Sequence, residues 1–257
     1  AEGRYGPTGA PPALGANTHR SAGLYWEDPV LGQTFGWTGA EYARWDETVT
    51  RAMDYLAWTG QDLLVYPTVW YNGPIYESRF ERGTWPSGAR YHPAQYPRLL
   101  ALRCAQRGVR FVPTYTIWRL PSLSDWVRTQ DEVIAGVPSV NTVTREGRVL
   151  TDANWGSPPL LNAQHPRVQQ ALLDLIDEHV ALCGDLPSFA GVGFALWPSS
   201  PMQAGAKLLT SYDDWSVTEF CKATGATPPG DPLSAERFRQ RADWILSDPQ
   251  RKKAWVR

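Results

Sequence analysis

One unit recurs three times along the chain: an amphipathic helical stretch, a glycine stop, then a short and almost wholly apolar run. In the first, Thr38 and Glu41 make the T-x-x-E pattern of a capping box, and Tyr42, Trp45, Val49, Met53 and Leu56 follow at steps of three and four until Gly60. The run from Asp62 to Trp70 comes next and ends at the turn Asn72-Gly73-Pro74. In the second, Pro97 opens a helix that stops at Gly108, and Val109 to Trp118 is the apolar run. In the third, Pro166 opens a helix with Val168, Ala171, Leu172, Leu175, Ile176 and Val180 on one face, Gly184 closes it, and Ala190 to Trp197 follows. Apolar runs this short, without alternation and separated by helices, are strands buried on both faces, so the pattern specifies βαβ units and a parallel sheet.

The rest of the chain decorates that repeat. Residues 1–37 are rich in Gly, Pro and aromatics and show no periodicity, which reads as an irregular aromatic arm packed on the domain that occupies residues 38–257. Between the second and third units, Leu120 to Gln164 is an insertion in which the stretch from Asn141 to Asp152 reads as a β-hairpin turning at Glu146-Gly147. A helix from Asp214 to Ala223 stops at Gly225, and a last helical stretch starts near Ser234 and breaks at Asp248-Pro249. A complete (β/α)₈ barrel takes about 250 residues at its leanest. Here each unit is expanded and only three strands are evident, so the expected fold is α/β: a partial, TIM-barrel-like parallel sheet with an inserted hairpin, completed by a remaining barrel segment or another protein chain.

Charge and cysteine usage narrow the function classes. Lys+Arg 25 against Asp+Glu 26 leaves a formal net charge of -1, so there is no basic field to attract nucleic acid or an anionic membrane surface. No run approaches the ~20 apolar residues of a membrane span. Cys104, Cys183 and Cys221 are widely spaced and fall in helical stretches, which suits small buried hydrophobes rather than a disulfide framework or a zinc site. No signal peptide is visible, and the start at Ala1-Glu2-Gly3 without Met fits either an engineered start or the mature form of a secreted or periplasmic chain.

The chemistry lies at the strand ends. Each of the three runs ends in Trp: Trp70, Trp118 and Trp197. Ligands of parallel α/β folds bind at the C-terminal ends of strands, where three indoles would line one opening and stack on the apolar face of a sugar ring. The competing reading is that they are large side chains closing the core. The carboxylates following the strands are Glu77 and Glu81, Asp125 and Asp152, and Asp213 and Asp214. Glycosidases need two such groups about 5–9.5 Å apart. Asp214 also suits a helix cap. No His/Asp spacing resembles a metal motif, and no G-x-S-x-G, P-loop or dinucleotide fingerprint is present, so neither a metal nor a cofactor is expected.

The segments RSAGLYWEDPV, YLAWTGQDLLVYPTVWYNGPIYES, HPRVQQALLDLIDEHVALCGDLPSFAGVGFALW and SYDDWSVTEFCKATG together resemble the front half of large, glycoside-hydrolase-like (β/α)₈ barrel proteins. The resemblance runs over most of residues 19–257 and implies a polysaccharide or oligosaccharide as partner. In better-known barrel glycosidases the fourth strand ends in the acid/base Glu, whereas the corresponding position here reads Trp197-Pro198-Ser199-Ser200. The expectation is a carbohydrate-active protein, a glycoside hydrolase if catalytic, binding through Trp70, Tyr71, Asn72, Trp118, Arg119 and Trp197. Glu77, Asp125, Asp152 and Asp213 are the candidate catalytic carboxylates. The alternative is a non-catalytic carbohydrate-binding or scaffold module of a larger protein or assembly.

Overall fold

A computed structural model of the chain describes residues 22–25, 31–35, 42–82, 92, 94–117, 119–149, 161–195 and 208–256. The chain divides into two compact units, Ala1–Thr116 with Leu175–Ala195, and Ile117–Asp174 with Leu196–Arg257.

The first unit is built on a four-stranded, all-parallel sheet curled into a half-barrel, the partial barrel anticipated from the repeat. Its strands are β1 (Gly23–Tyr25), β2 (Leu63–Tyr71), β3 (Arg110–Ile117) and β4 (Gly193–Phe194), in the spatial order β1-β2-β3-β4. Helices α1 (Leu31–Phe35), α2 (Tyr42–Trp58) and α3 (Tyr96–Gln106) link them, followed by the second half of α5 (Pro166–Cys183). The spacing of Trp45, Val49, Ala52, Met53 and Leu56 gives α2 one apolar stripe, and all five are buried. They share a core with Leu64 and Tyr66 of β2, Phe111 of β3, Leu100, Ala101 and Cys104 of α3, and Cys183 of α5. Because side chains alternate along a strand, this puts Leu64, Tyr66 and Phe111 on the helix-covered face and Val69, Thr114 and Thr116 on the opposite one. Cys104 and Cys183 are free thiols in that core, and burial pushes each up to about 12.

Three features differ from the sequence reading. The arm carries a strand, β1, which pairs in parallel with β2 from Gly23↔Leu63 to Tyr25↔Val65. Three residues are too few to show a period. Gly23 suits the close approach, since a Cβ there would lie 2.9 Å from Leu63 Cδ2 and that side chain would have to shift. The third strand is short: only Gly193–Phe194 is regular, although Phe111↔Phe189 and the bond from Ala195 N to Tyr115 O extend the pairing with β3 on either side. Gly191, with φ +114°, interrupts the extended backbone between them. On α5, Val180 is 49% exposed and His179 is buried. A stripe that passes through Leu175 continues at the i+4 position to His179 and Cys183, so the imidazole takes the place assigned to valine. The Thr38/Glu41 capping box lies outside the described residues.

The second unit holds the insertion and the C-terminal helices. A 3-10 helix, Pro121–Trp126, precedes α4 (Gln130–Ile134), which Thr129 and Glu132 start with a capping box. Of the expected hairpin only the turn is formed among the described residues: it falls at Arg145-Glu146-Gly147, closed by Thr144 N to Arg148 O at 3.0 Å, with no strand flanking it, and Asn141 instead makes an isolated antiparallel bridge with Leu161. Helices α6 (Asp214–Thr224), α7 (Arg237–Ser247) and α8 (Pro249–Trp255) complete it. Tyr212, Val217, Phe220, Ala242 and Ile245 form a cluster there, and Trp255 stacks parallel to Tyr212 at 5.8 Å. Among the described residues no helix is long and apolar enough to cross a membrane.

Candidate functional site

The end of β2 brings together four of the candidate residues, Trp70, Tyr71, Asn72 and Glu77, all of them described. Directly after Trp70 the chain reverses: Gly73 N donates to Trp70 O at 3.2 Å, Trp70 N to Gly73 O at 2.9 Å, and Ile75 N to Thr68 O at 2.9 Å. This tight return forces Tyr71 to φ 38°, a conformation uncommon for a residue with a side chain and costing on the order of 1 kcal/mol. It also turns the Tyr71 ring onto Trp70. The two rings stack with centroids 4.5 Å apart and planes 26° from parallel. Trp70 rests against the helix-side core, so the pair forms a half-buried aromatic ledge at the strand's C-terminal end, with half-buried Asn72 beside it in sequence.

The segment after the turn is anchored from α5. Tyr76 bridges His92 in parallel, with Glu77 N donating to His92 O at 2.8 Å. The buried carboxylate of Glu178 then collects three donors: Tyr76 OH at 2.9 Å, Ser78 Oγ at 2.6 Å and Arg79 N at 2.9 Å. Arg79 Nε lies 3.7 Å away as an exposed ion-pair partner. Glu77 projects to solvent between these fixed points, and Glu81 is buried.

Next to Glu178, the His179 ring closes a second polar group under the sheet. Its Nδ1 lies 2.9 Å from Leu175 O, an atom that can only accept, so Nδ1 carries the proton and Nε2 accepts from Thr68 Oγ1 at 2.9 Å. Tyr115 OH is also 2.9 Å from Nδ1. Burial pushes His179 down to about 4, and it raises Tyr76 and Tyr115 well above the usual tyrosine range, with Glu178 adding to both. Both tyrosines and the imidazole are therefore neutral at pH 7. Their setting is structural: they hold β2, β3 and the post-β2 segment to α5 and offer no titrating group to a ligand. Sequence reading missed this pair because Glu178 and His179 sit in an otherwise regular helix. The available signal was His179 in i+4 register with Leu175 and i−4 with Cys183.

The remaining candidates lie in the second unit or outside the described residues. Arg119 and Asp125 belong to the second unit and are exposed. Asp213, in the same unit, is buried as the N-cap of α6. Its Oδ1 accepts from Ser216 N at 2.9 Å and Asn162 Nδ2 at 3.1 Å, and its Oδ2 from Ser216 Oγ at 3.1 Å and Thr142 Oγ1 at 3.3 Å. Burial raises its pKa, with the Ser216 and Asn162 bonds opposing. Its neighbour Asp214, which had suited a cap, is held below the usual carboxylate range by Arg237 and Arg241 although burial opposes this. Trp118, Trp197 and Asp152 lie outside the described residues. Among the described residues no three His, Cys, Asp or Glu side chains group closely enough to hold a metal ion.

Compared with known proteins, the chain matches no family model, no curated relative and no solved structure.

Proposed function

We propose that the chain is a carbohydrate-active protein, glycoside-hydrolase-like in architecture, that binds an oligo- or polysaccharide across the Trp70–Tyr71 ledge. The observation that carries this reading is the stacked, strained aromatic pair at the C-terminal end of a half-barrel strand, the end at which parallel α/β folds bind their ligands. Tyr71 is one of three non-glycine residues with positive φ among the described residues, and strain of this kind collects at ligand sites. Asn72 supplies an amide next to the rings for a sugar hydroxyl, and Glu77 is the candidate carboxylate on the same segment.

A binding role without turnover is favoured by the setting of the carboxylates. A glycosidase proton donor occupies an enclosed site that still faces the substrate. Among the described candidates, Glu77 and Asp125 are exposed, and both oxygens of Asp213 accept bonds from Ser216, Asn162 and Thr142.

Titration calorimetry of the full chain with cellohexaose, xylohexaose, mannohexaose and laminarihexaose tests the proposal. The expected result is binding of at least one, weakened about tenfold by Trp70→Ala or Tyr71→Ala with the far-UV spectrum unchanged. Absence of binding across the panel, or affinity indifferent to both substitutions, sinks it. Release of new reducing ends from the bound sugar would identify a hydrolase.

A further inference from the structure

Within the second unit, the turn at Arg145-Glu146-Gly147 and helix α7 enclose an open cleft of about 320 Å³, lined by Arg145, Glu146, Arg239 and Asp243. The turn is tied in place from its far side: Gln130 Nε2 donates to Gly147 O at 2.9 Å, and Gln130 Oε1 accepts from Val149 N at 2.7 Å. Gly147, with φ +80°, brings the turn against the helix, where a Cβ would meet Phe238 Cβ at 3.7 Å. The two walls of the cleft are therefore held at a fixed spacing.

All four lining side chains are charged and reach solvent, so a ligand has access to them. Arg239 and Asp243 stand one turn apart on α7, about 5–6 Å between Cβ atoms, yet they do not pair. Asp243 instead meets Arg145 across the cleft at a long 3.4 Å. Among the described residues neither Arg239 nor Glu146 has a hydrogen-bond or ion-pair partner for its side chain. The backbone beside the cleft is strained as well. Arg145 N donates to Leu209 O at 2.7 Å and Tyr212 N to Val143 O at 3.1 Å, which lays residues 208–212 along the arm leading into the turn. That stretch holds Leu208 at φ 62° and Ser211 at φ 80°, two of the three non-glycine residues with positive φ among the described residues. Strain of this kind collects at ligand sites.

The charges select the ligand. Two guanidinium groups and two carboxylates sum to zero, so a simple anion would be repelled by Glu146 and Asp243, and a simple cation by Arg145 and Arg239. A zwitterion suits both halves. An α-amino acid carries its carboxylate and ammonium on one carbon, close enough to meet Arg239 and Asp243 together, whereas a peptide separates them. The guanidinium fork takes a carboxylate bidentately, and an ammonium offers three donors to the facing acids. The volume stands near the lower bound of small-molecule pockets, about 300 Å³, which fits a ligand of this size rather than a polymer.

We propose that this cleft binds a free α-amino acid, with its carboxylate on the Arg239 guanidinium and its ammonium between Asp243 and Glu146.

Calorimetry of the full chain with each of the standard α-amino acids at millimolar concentration tests the assignment. The expected result is binding of at least one, weakened about tenfold by Arg239→Gln and by Asp243→Asn, with unfolding midpoints unchanged because both side chains are exposed. The N-acetyl and methyl ester forms of the same amino acid, which lack the ammonium and the carboxylate charge respectively, should bind about tenfold more weakly than the free form. Should Asp243→Asn lower the midpoint by releasing Arg145, Arg239→Gln decides, since it breaks no hydrogen bond or ion pair among the described residues. Absence of binding by every amino acid overturns the proposal, as does affinity that Arg239→Gln leaves unchanged. An N-acetyl form that binds as well as the free amino acid would make the cleft a plain anion site and overturn it too.

Discussion

Tyr76 and Glu178 lie 102 positions apart in the chain and meet in a buried 2.9 Å hydrogen bond that fastens the post-β2 segment to α5. Ser78 and the backbone of Arg79 converge on the same carboxylate, so one side chain orders the segment that follows Trp70, Tyr71 and Asn72. The anchoring is thus placed on a helix while the Trp70–Tyr71 pair stays at the sheet end, a division that holds the turn after β2 in shape without covering it.

Glu178→Ala is expected to cost about 3 kcal/mol of unfolding free energy, because it leaves two hydroxyls and a backbone N–H without their shared acceptor. Tyr76→Phe removes one donor and keeps the ring, for an expected cost of about 1 kcal/mol. Urea unfolding of both variants checks the order. Equal losses in the two would mean that the Tyr76 hydroxyl accounts for the whole effect and that the Ser78 and Arg79 bonds hold nothing.

The His179 site makes stability depend on pH in a defined window. Burial lowers its pKa from 6.5 to about 4, so between those values the unfolded chain binds a proton that the folded chain excludes. The stabilisation is fully present above pH 6.5 and is lost as pH falls toward 4, by about 3 kcal/mol for this group. His92, stacked on Tyr96 at 3.7 Å and also lowered to about 4 by burial, acts in the same direction. Urea unfolding between pH 7.5 and 4 should show a steep decline that His179→Asn roughly halves. An unaltered slope in that variant would assign the dependence elsewhere.

Arg237 is fully buried and uses all five of its N–H donors: Nε and one NH2 hydrogen on Asp214, NH1 on Ile134 O and Ser234 O, and the remaining NH2 hydrogen on Val133 O at 2.6 Å. The guanidinium also lies 4.0 Å over the Phe238 ring. Arg237→Ala is expected to destabilise the second unit by about 3 kcal/mol, and Arg237→Lys to recover little of it, because an ammonium has three donors and no planar fork. Thermal unfolding of the two variants is the measurement, and a lysine variant close to wild type would contradict the bidentate account.

The sheet was legible where periodicity was long and illegible where it was short or set by contacts. The expected helix to Gly60 and strand from Asp62 correspond to Tyr42–Trp58 and Leu63–Tyr71, because seventeen residues are enough for a helical period to show and the nine-residue strand is an almost unbroken apolar run. β1 is three residues, too short for any local pattern to signal its pairing with β2. At the candidate site, the strand-terminal aromatics and the Asn72-Gly73-Pro74 turn could be read directly. The Glu178 anchor could not, since the donors it gathers are about a hundred residues away in sequence and only the fold brings them together.

Asp213 separates a structural carboxylate from a reactive one. It has the raised pKa expected of a proton donor, with burial as the main cause, yet all its acceptor capacity faces Ser216, Asn162 and Thr142. Thr142 in turn accepts from Ser211 N at 2.7 Å, so the carboxylate ties the residues before α6 to the inserted segment. Removing it strips a helix cap and orphans a buried amide and a buried hydroxyl, and Asp213→Ala is expected to cost about 2–3 kcal/mol. Asp213→Ser should restore part of this, since serine caps a helix N-terminus nearly as well. Urea unfolding measures the cost, and calorimetry with the hexasaccharide panel shows whether the folded variant still binds sugar. Binding lost at full stability would make Asp213 a ligand contact. Stability lost with binding intact is the outcome its four donors dictate.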